Sequence, residues 1–470
     1  MSYLHSRLSF IPQAFNPLVL RVTHTVLPMM LKVRLKAWLP SGIASIEATN
    51  VEVLANLYQQ FQAGKIRFIM AFRHPEVDDP LSALFLLSRI VPRVARQKGI
   101  SLKSPIHSHF IYDRGMPFWA GSWLGWWFSR LGGIPIHRGK RPADRVALRA
   151  ARELLVNGQF PLAIAPEGGT NGHSEIVSAL ESGGAQLGFW CVEDLAKTHR
   201  AEQVFIVPIG IRYQYTMPVW KNLDRVLSQL ENDCGLSSDG VAIDLSEDSK
   251  DIYYQRLFRL GEYLLSQLEE FYREFYHQDL PPLQPVSSST QSEANILLSM
   301  RLQRLLNTAL QVTEHYFGME SQGGLTERCR RLEEASWRYV YRDDVTDVRQ
   351  LSPVRQGLGN WVAEEALLRV KHMRLVESFV AVTGTYVQEK PTVERFSEIT
   401  LILFDAIARI KGQKFPRRPR LGWRKSTITV GEPICVSERW ETYRSSRQAA
   451  RQAVADVTQE LQVALNKMIP

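Results

Sequence analysis

Three short apolar runs, each stopped by a polar turn, most constrain this chain: Ile66 to Phe72, Phe160 to Ala165 and Val204 to Ile211. Runs this apolar predict strands buried in the interior of a sheet. The first leads through a polar turn into Leu81 to Ile90, whose apolar density predicts a buried helix. Strands separated by helical segments predict an α/β fold, a mixed and mostly parallel sheet flanked by helices, with its chemistry gathered at strand ends.

The remaining segments fill in around that sheet. Residues 1–48 hold Phe15 to Leu39, where apolar and basic residues interleave without an acid. Such a helix suits either a membrane interface or a core-packing role. The first part of the α/β domain is expected over 49–248. An all-helical insertion follows over 249–415, with an uncharged linker at 280–292 and helical stretches at about 294–316, 325–341, 361–387 and 393–410. Residues 416–470 return to the α/β domain with a strand from Ser426 to Val436 and a closing helix from Ser445 to Met468.

Composition narrows the partners. Across 470 residues, 57 Lys+Arg against 48 Asp+Glu leave a net charge of +9, which favours polyanions without choosing among them. No recognised nucleic-acid motif accompanies the charge, so nucleic acid is not an expected partner. The four cysteines form no CxxC pair, which argues against a disulfide framework or zinc site and fits a reducing cytoplasm. The longest uncharged stretch, Gly115 to Ser129, is shorter than the ~20 apolar residues of a membrane span. The N-terminus lacks the pattern of a cleaved signal peptide.

The turn after the first strand reads Arg73-His74-Pro75-Glu76-Val77-Asp78-Asp79-Pro80. Five positions along a helix turn by about 140°, so His74 and Asp79 meet only if a turn folds between them. With Pro80 at the first helical position and Asp79 as N-cap, the carboxylate would point back across the loop. It could then hold one imidazole nitrogen and leave the other to take a proton from a hydroxyl. Asp78 competes for the role, and a capping Asp beside a surface His is the plainer alternative.

Two further strand ends carry polar groups. Gly132 to Arg141 sets Arg138, Lys140 and Arg141 after a short apolar step, suited to a phosphate or to a solvated turn. Pro166-Glu167-Gly168-Gly169-Thr170-Asn171-Gly172 offers unhindered backbone N–H groups that can approach an oxyanion.

Taken in order, His74 to Asp79, Gly132 to Arg138, Pro166 to Thr170 and Val207-Pro208 resemble the four blocks of the glycerolipid acyltransferase family of the PlsC type. Ser182-Gly183-Gly184-Ala185 and Gly431-Glu432-Pro433-Ile434 extend the likeness. The resemblance implies transfer of an acyl group from a thioester, on acyl carrier protein or coenzyme A, to a glycerol hydroxyl. By the same implication His74 is the general base and Asp79 orients it. Arg138 binds the acceptor phosphate, while Glu167, Gly168, Gly169 and Thr170 shape the acceptor pocket. Neither a metal nor a cofactor beyond the acyl thioester is implied.

One position departs from the family pattern: Asn171 stands where a phosphate-binding Arg is expected. A neutral amide cannot replace a guanidinium, so Arg73, Arg138, Lys140 and Arg141 are the candidates to compensate.

Two segments suggest where lipid would enter. Trp119, Trp123, Trp126 and Trp127 fall within nine residues, suited to an acyl channel, a bilayer boundary or an aromatic core. Lys411 to Lys425 carries Lys411, Lys414, Arg417, Arg418, Arg420, Arg424 and Lys425 with no acid, which suits an anionic lipid surface. The expectation is therefore a peripheral or monotopic enzyme on the cytoplasmic side of a membrane, acylating a lysophospholipid, most simply lysophosphatidic acid. The rivals are another acceptor, glycerol 3-phosphate or a phosphate-free lipid alcohol, or a non-catalytic lipid-binding scaffold on this fold.

Overall fold

A computed structural model describes residues 3–6, 10–34, 42–116, 121–136, 142–236, 250–280, 291–379, 382–413 and 416–469. It divides into two compact units, an α/β unit of Phe10–Thr216 with Trp423–Pro470 and a helical unit of Met1–Ser9 with Met217–Gly422.

In chain order the strands are β1 (His5–Ser6), β2 (Ile43–Thr49), β3 (Ile66–Phe72), β4 (His109–Asp113), β5 (Gly133–Ile136), β6 (Leu162–Ile164), β7 (Gln203–Tyr215), β8 (Tyr341–Arg342), β9 (Arg424–Val430) and β10 (Ile434–Cys435). The helices of the α/β unit are α1 (Pro17–Lys32), α2 (Val51–Gln62), α3 (Asp79–Phe85), α4 (Val91–Gln97), α5 (Ser122–Arg130), α6 (Pro142–Asn157) and α7 (Gly183–Lys197), and after the helical unit α15 (Trp440–Ser445) and α16 (Arg447–Lys467). Those of the helical unit are α8 (Trp220–Asp233), α9 (Lys250–Tyr276), α10 (Gln291–Phe317), α11 (Leu325–Val340), α12 (Pro353–Phe379), α13 (Tyr386–Glu389) and α14 (Val393–Ile410).

The main sheet has the order β2-β9-β7-β3-β6-β4-β5, with β10 added to β7. Strands β7, β3, β6, β4 and β5 run parallel, while β9 is antiparallel to β7 and parallel to β2. The sheet is therefore mixed and mostly parallel, as the apolar runs predict.

Alternation along β3 explains why its sequence is apolar throughout. Phe68, Met70 and Phe72 face a layer built from α1, α2 and α4. Ile69 and Ala71 face the opposite layer of α6, α7 and α16. A strand covered on both sides needs apolar residues at both parities. Full burial of each large side chain is worth roughly 1.5–3 kcal/mol relative to exposure.

Two elements differ from the sequence reading. Leu81 to Ile90 is not one helix: α3 passes through a π-helical turn at Leu86–Ile90 into α4. Pro92 lacks the N–H that would bond the Ser88 carbonyl, so the regular ladder cannot run through this junction. Ser426 to Val436 is likewise two strands, β9 and β10, parted by Gly431-Glu432-Pro433, where Pro433 has no ladder donor. Among the described residues no helix is long and apolar enough to cross a membrane.

In the helical unit, Arg–carboxylate pairs join successive helices. Arg256 of α9 meets Glu231 of α8 at 2.7 Å, and Arg301 of α10 meets Glu269 of α9 at 2.8 Å. Arg328 of α11 grips Glu314 of α10 with two bonds of 2.8 and 2.7 Å, and Arg374 of α12 meets Glu333 of α11 at 2.6 Å.

Candidate active site

The site forms where β3 and β6, neighbours in the sheet, end side by side. At the end of β3 the chain turns through residues 73–78 into α3, and the turn brings His74 and Asp79 together: His74 Nδ1 lies 3.0 Å from Asp79 Oδ2. The backbone N–H of Glu76 donates to the same oxygen at 2.8 Å, which fixes the turn. Asp79 is fully buried, and the His74 side chain is 21% exposed. Its second ring nitrogen, Nε2, has no protein partner among the described residues, so the edge away from Asp79 is open to a ligand.

Asp79 does not act as N-cap. It is the first residue of α3, and Asp78 holds the N-cap position without a side-chain capping bond. The back-pointing geometry survives because the carboxylate closes a loop with Glu76 and His74 instead of a helix end. Tyr213 on β7 donates its hydroxyl to Asp79 Oδ1 at 2.5 Å. Burial pushes the Asp79 carboxyl above the ordinary carboxylate value, and the donors from His74, Tyr213 and the Glu76 backbone act against that push. Burial, with Asp79 and Asp78 beside it, holds the Tyr213 phenol well above its usual value, so it stays a donor.

Asp78 is fully buried too, but its partner is different. Arg424, the first residue of β9, pairs with Asp78 and lies 3.6 Å from Glu76, with its guanidinium 4.8 Å from the centre of the Tyr213 ring. The two adjacent acids are thus divided, Asp79 to the imidazole and Asp78 to a guanidinium. Asp78 therefore does not compete for His74. Arg424 is consequently not a surface cation of the Lys411 to Lys425 cluster.

That cluster is largely neutralised. Lys411 pairs with Asp233, Arg418 with Asp405 and Lys425 with Glu47, and Lys414 lies outside the described residues. With Arg424, four of the seven cations thus have a carboxylate partner among the described residues.

The loop after β6 supplies the second wall. Glu167 accepts the backbone N–H of His74 on Oε1 at 2.9 Å, and the Ser178 N–H and Asn171 side-chain amide on Oε2 at 2.8 and 3.1 Å. A buried carboxylate thus ties the His74 backbone to both ends of the loop. Gly168 has φ +84, a conformation glycine adopts without strain, and turns the chain out of the strand. Gly169 and Thr170 are exposed beyond it.

Arg73 is buried, with its guanidinium bonded to the carbonyls of His173, Ser174 and Ile176. It is a clamp on this loop, so it cannot serve as the compensating phosphate cation. Asn171 is a clasp as well: its amide donates to Glu167, to the Ile176 carbonyl at 2.7 Å and to Ser178 Oγ at 3.0 Å. The remaining candidates, Arg138, Lys140 and Arg141, lie outside the described residues, as does Trp119.

Of the other tryptophans, Trp123 and Trp126 on α5 are 46% and 58% exposed. Trp127 is half-buried and donates to Thr23 Oγ1 of α1 at 3.1 Å. On α1, Leu20, Leu27, Met30 and Leu31 are buried, while Leu18, Val22, Met29 and the adjoining Val33 are at least half exposed. These exposed positions fall within about 60° of one another around the helix. Among the described residues no group of three or more His, Cys, Asp or Glu could hold a metal ion.

Tyr213 and Arg424 complete the dyad's surroundings and are the residues that sequence reasoning missed. They approach Asp79 and Asp78 across 134 and 346 positions of chain. Tyr213 left one signal, a tyrosine in the polar continuation of an apolar strand.

Residues 67–212 match the model of a family described as Acyltransferase, the glycerolipid acyltransferase family of the PlsC type. The match runs from β3 almost to the end of β7 and contains His74, Asp79 and the Glu167 loop. That segment is therefore similar to an acyltransferase domain. No curated protein and no solved structure matches the chain.

Proposed function

We propose that the protein transfers an acyl group from a thioester, on acyl carrier protein or coenzyme A, to the hydroxyl of lysophosphatidic acid, giving phosphatidic acid. The observation that carries this reading is the contact between His74 and a buried, triply bonded Asp79 inside the matched segment. Asp79 holds Nδ1–H, and Nε2 takes the proton as the hydroxyl oxygen attacks the thioester carbonyl. The tetrahedral intermediate collapses with cleavage of the C–S bond, and the imidazolium returns its proton to the leaving thiolate. Asp79 stays ionised and steadies the cation between those steps.

Glu167 and Arg73 position His74 and take no part in proton transfer. We assign the acceptor phosphate to Arg138 with Lys140 and Arg141, which follow β5 in the sequence. Asn171 favours a second reading, a phosphate-free acceptor, because its amide is spent on the loop where a guanidinium would face a phosphate. The exposed faces of α1 and α5 are proposed to rest on a membrane, apolar stripe and indoles inward, with Arg21 and Lys32 near anionic headgroups. The 411–425 cluster adds little to that contact because so many of its charges are paired.

Purified protein offered lysophosphatidic acid, glycerol 3-phosphate and monoacylglycerol with acyl thioesters should acylate the first, and His74→Ala should lower that rate by about 10²–10⁴-fold. Acylation of the phosphate-free acceptor alone would select the second reading. Turnover unchanged in His74→Ala would remove His74 as the base. For the membrane contact, Val22→Asp with Met29→Asp should reduce sedimentation with anionic vesicles, and undiminished sedimentation would place the contact elsewhere.

A further inference from the structure

The helical unit contains a hollow, partly open to solvent, between α9, α10, α12 and α14. Leu, Ile, Val and Phe make up fifteen of its twenty lining residues, among them Leu257, Leu264, Leu302, Leu305, Phe379 and Leu403. None of the twenty is charged.

The few polar lining groups are gathered together. Tyr254 donates its hydroxyl to Asn295 Oδ1 at 2.5 Å, and Asn295 donates its amide to Gln388 at 2.7 Å. Gly384 packs so closely there that a Cβ would lie 2.6 Å from the Asn295 carbonyl oxygen. Thr383 precedes it on the wall. The hollow thus combines a long aliphatic surface with one compact, neutral, hydrogen-bonding corner.

Gly261 widens the same space. It sits in the interior of α9, where glycine is the least favourable residue after proline. It lines the hollow, yet a Cβ there would meet nothing within 4 Å. A larger residue would stabilise the helix and fill the gap. Retained emptiness in an apolar wall costs stability unless a ligand supplies the missing contacts.

We propose that this hollow is a binding site for a single fatty acyl chain, separate from the His74–Asp79 site. The methylenes take the place of the absent packing atoms. A weakly polar, uncharged chain end, such as an ester group, meets the Tyr254–Asn295–Thr383 corner. A charged phosphate cannot enter, since no lining side chain would neutralise it, so such a headgroup stays outside. All lining residues belong to the helical unit, so the proposal stands apart from the acyl-transfer reading, and either can fail alone.

The full chain is titrated with methyl cis-parinarate and the bound probe displaced with methyl palmitate. Gly261→Phe and, separately, Leu302→Trp should each weaken one saturable binding event at least tenfold, with acyl transfer retained per folded molecule. Methyl palmitate should raise the melting temperature of the wild type and not that of the filled variants. Gly261→Ala, which leaves most of the space open, should keep binding and melt higher than wild type. Saturable binding that neither bulky variant weakens would overturn the proposal. So would wild-type protein with no saturable binding, or equal displacement by an aromatic solute of the same volume.

Discussion

Both units bury arginine–carboxylate pairs, but they do so in different places and to different ends. In the helical unit the pairs lie between successive helices, as Arg328 with Glu314 and Arg256 with Glu231, and fix how one helix slides on the next. The layer they leave behind is free of charge and ends as an apolar hollow. In the α/β unit, Arg424 with Asp78, and Arg73 beside Glu167 at 3.8 Å, lie beneath a loop and hold a single imidazole. Helices thus spend buried charge on register, whereas the sheet edge spends it on the direction of one side chain.

The sharpest way to break this contrast is Asp79→Asn. Tyr213 can turn its hydroxyl toward Ser82, 3.2 Å away, and accept from the new amide, so the fold loses no partner. Turnover is expected to fall by about 10²-fold or more, because Asn cannot steady an imidazolium. Stability should move the other way. The folded state holds the Asp79 proton more tightly than the unfolded chain, because burial raises its pKa. Its contribution is therefore full below the ordinary carboxylate value and lost as pH rises through the raised one. At pH 7 the variant should melt at or above the wild type, and a clear drop in melting temperature would show that the three donors outweigh burial.

Next come two matched removals, Arg424→Met and Arg328→Met. Each removes the main cationic partner of a buried carboxylate and should cost about 3–5 kcal/mol in denaturant unfolding. Only Arg424→Met should also lower the turnover of the molecules that remain folded. Equal effects on turnover would erase the distinction between charge used for register and charge used for aim. The smallest effect is expected of Tyr213→Phe, which removes one donor to a buried carboxylate. A charge-assisted bond of about 1.5–3 kcal/mol sets an upper bound near 100-fold on turnover, and a few-fold is expected because His74 and the Glu76 N–H remain. No change at all would mean that Tyr213 only packs.

What was legible in the sequence follows chain distance. The runs that became β3, β6 and β7 were readable because strands buried on both faces leave little room for polar residues. His74 and Asp79 were readable because one turn joins them. Asn171 looked like a lost phosphate ligand, since a one-letter difference reveals a missing guanidinium but not that the amide has three internal partners. Arg424 counts as part of a basic cluster for the same reason: charge counts along the chain are blind to Asp78, 346 positions away. Strands β2 and β4 carry too many polar residues to stand out as apolar runs, and their pairing alone declares them.

β9 has a further consequence during synthesis. It lies inside the sheet between β2 and β7, yet it begins only at Arg424 of a chain of 470 residues. A nascent polypeptide still on the ribosome would therefore carry a gap in the middle of its sheet and an acid without its counterion next to His74 until the helical segment had been made. Competence arrives only after β9 has been made, so a product terminated before Arg424 should be inert and conspicuous to proteolysis.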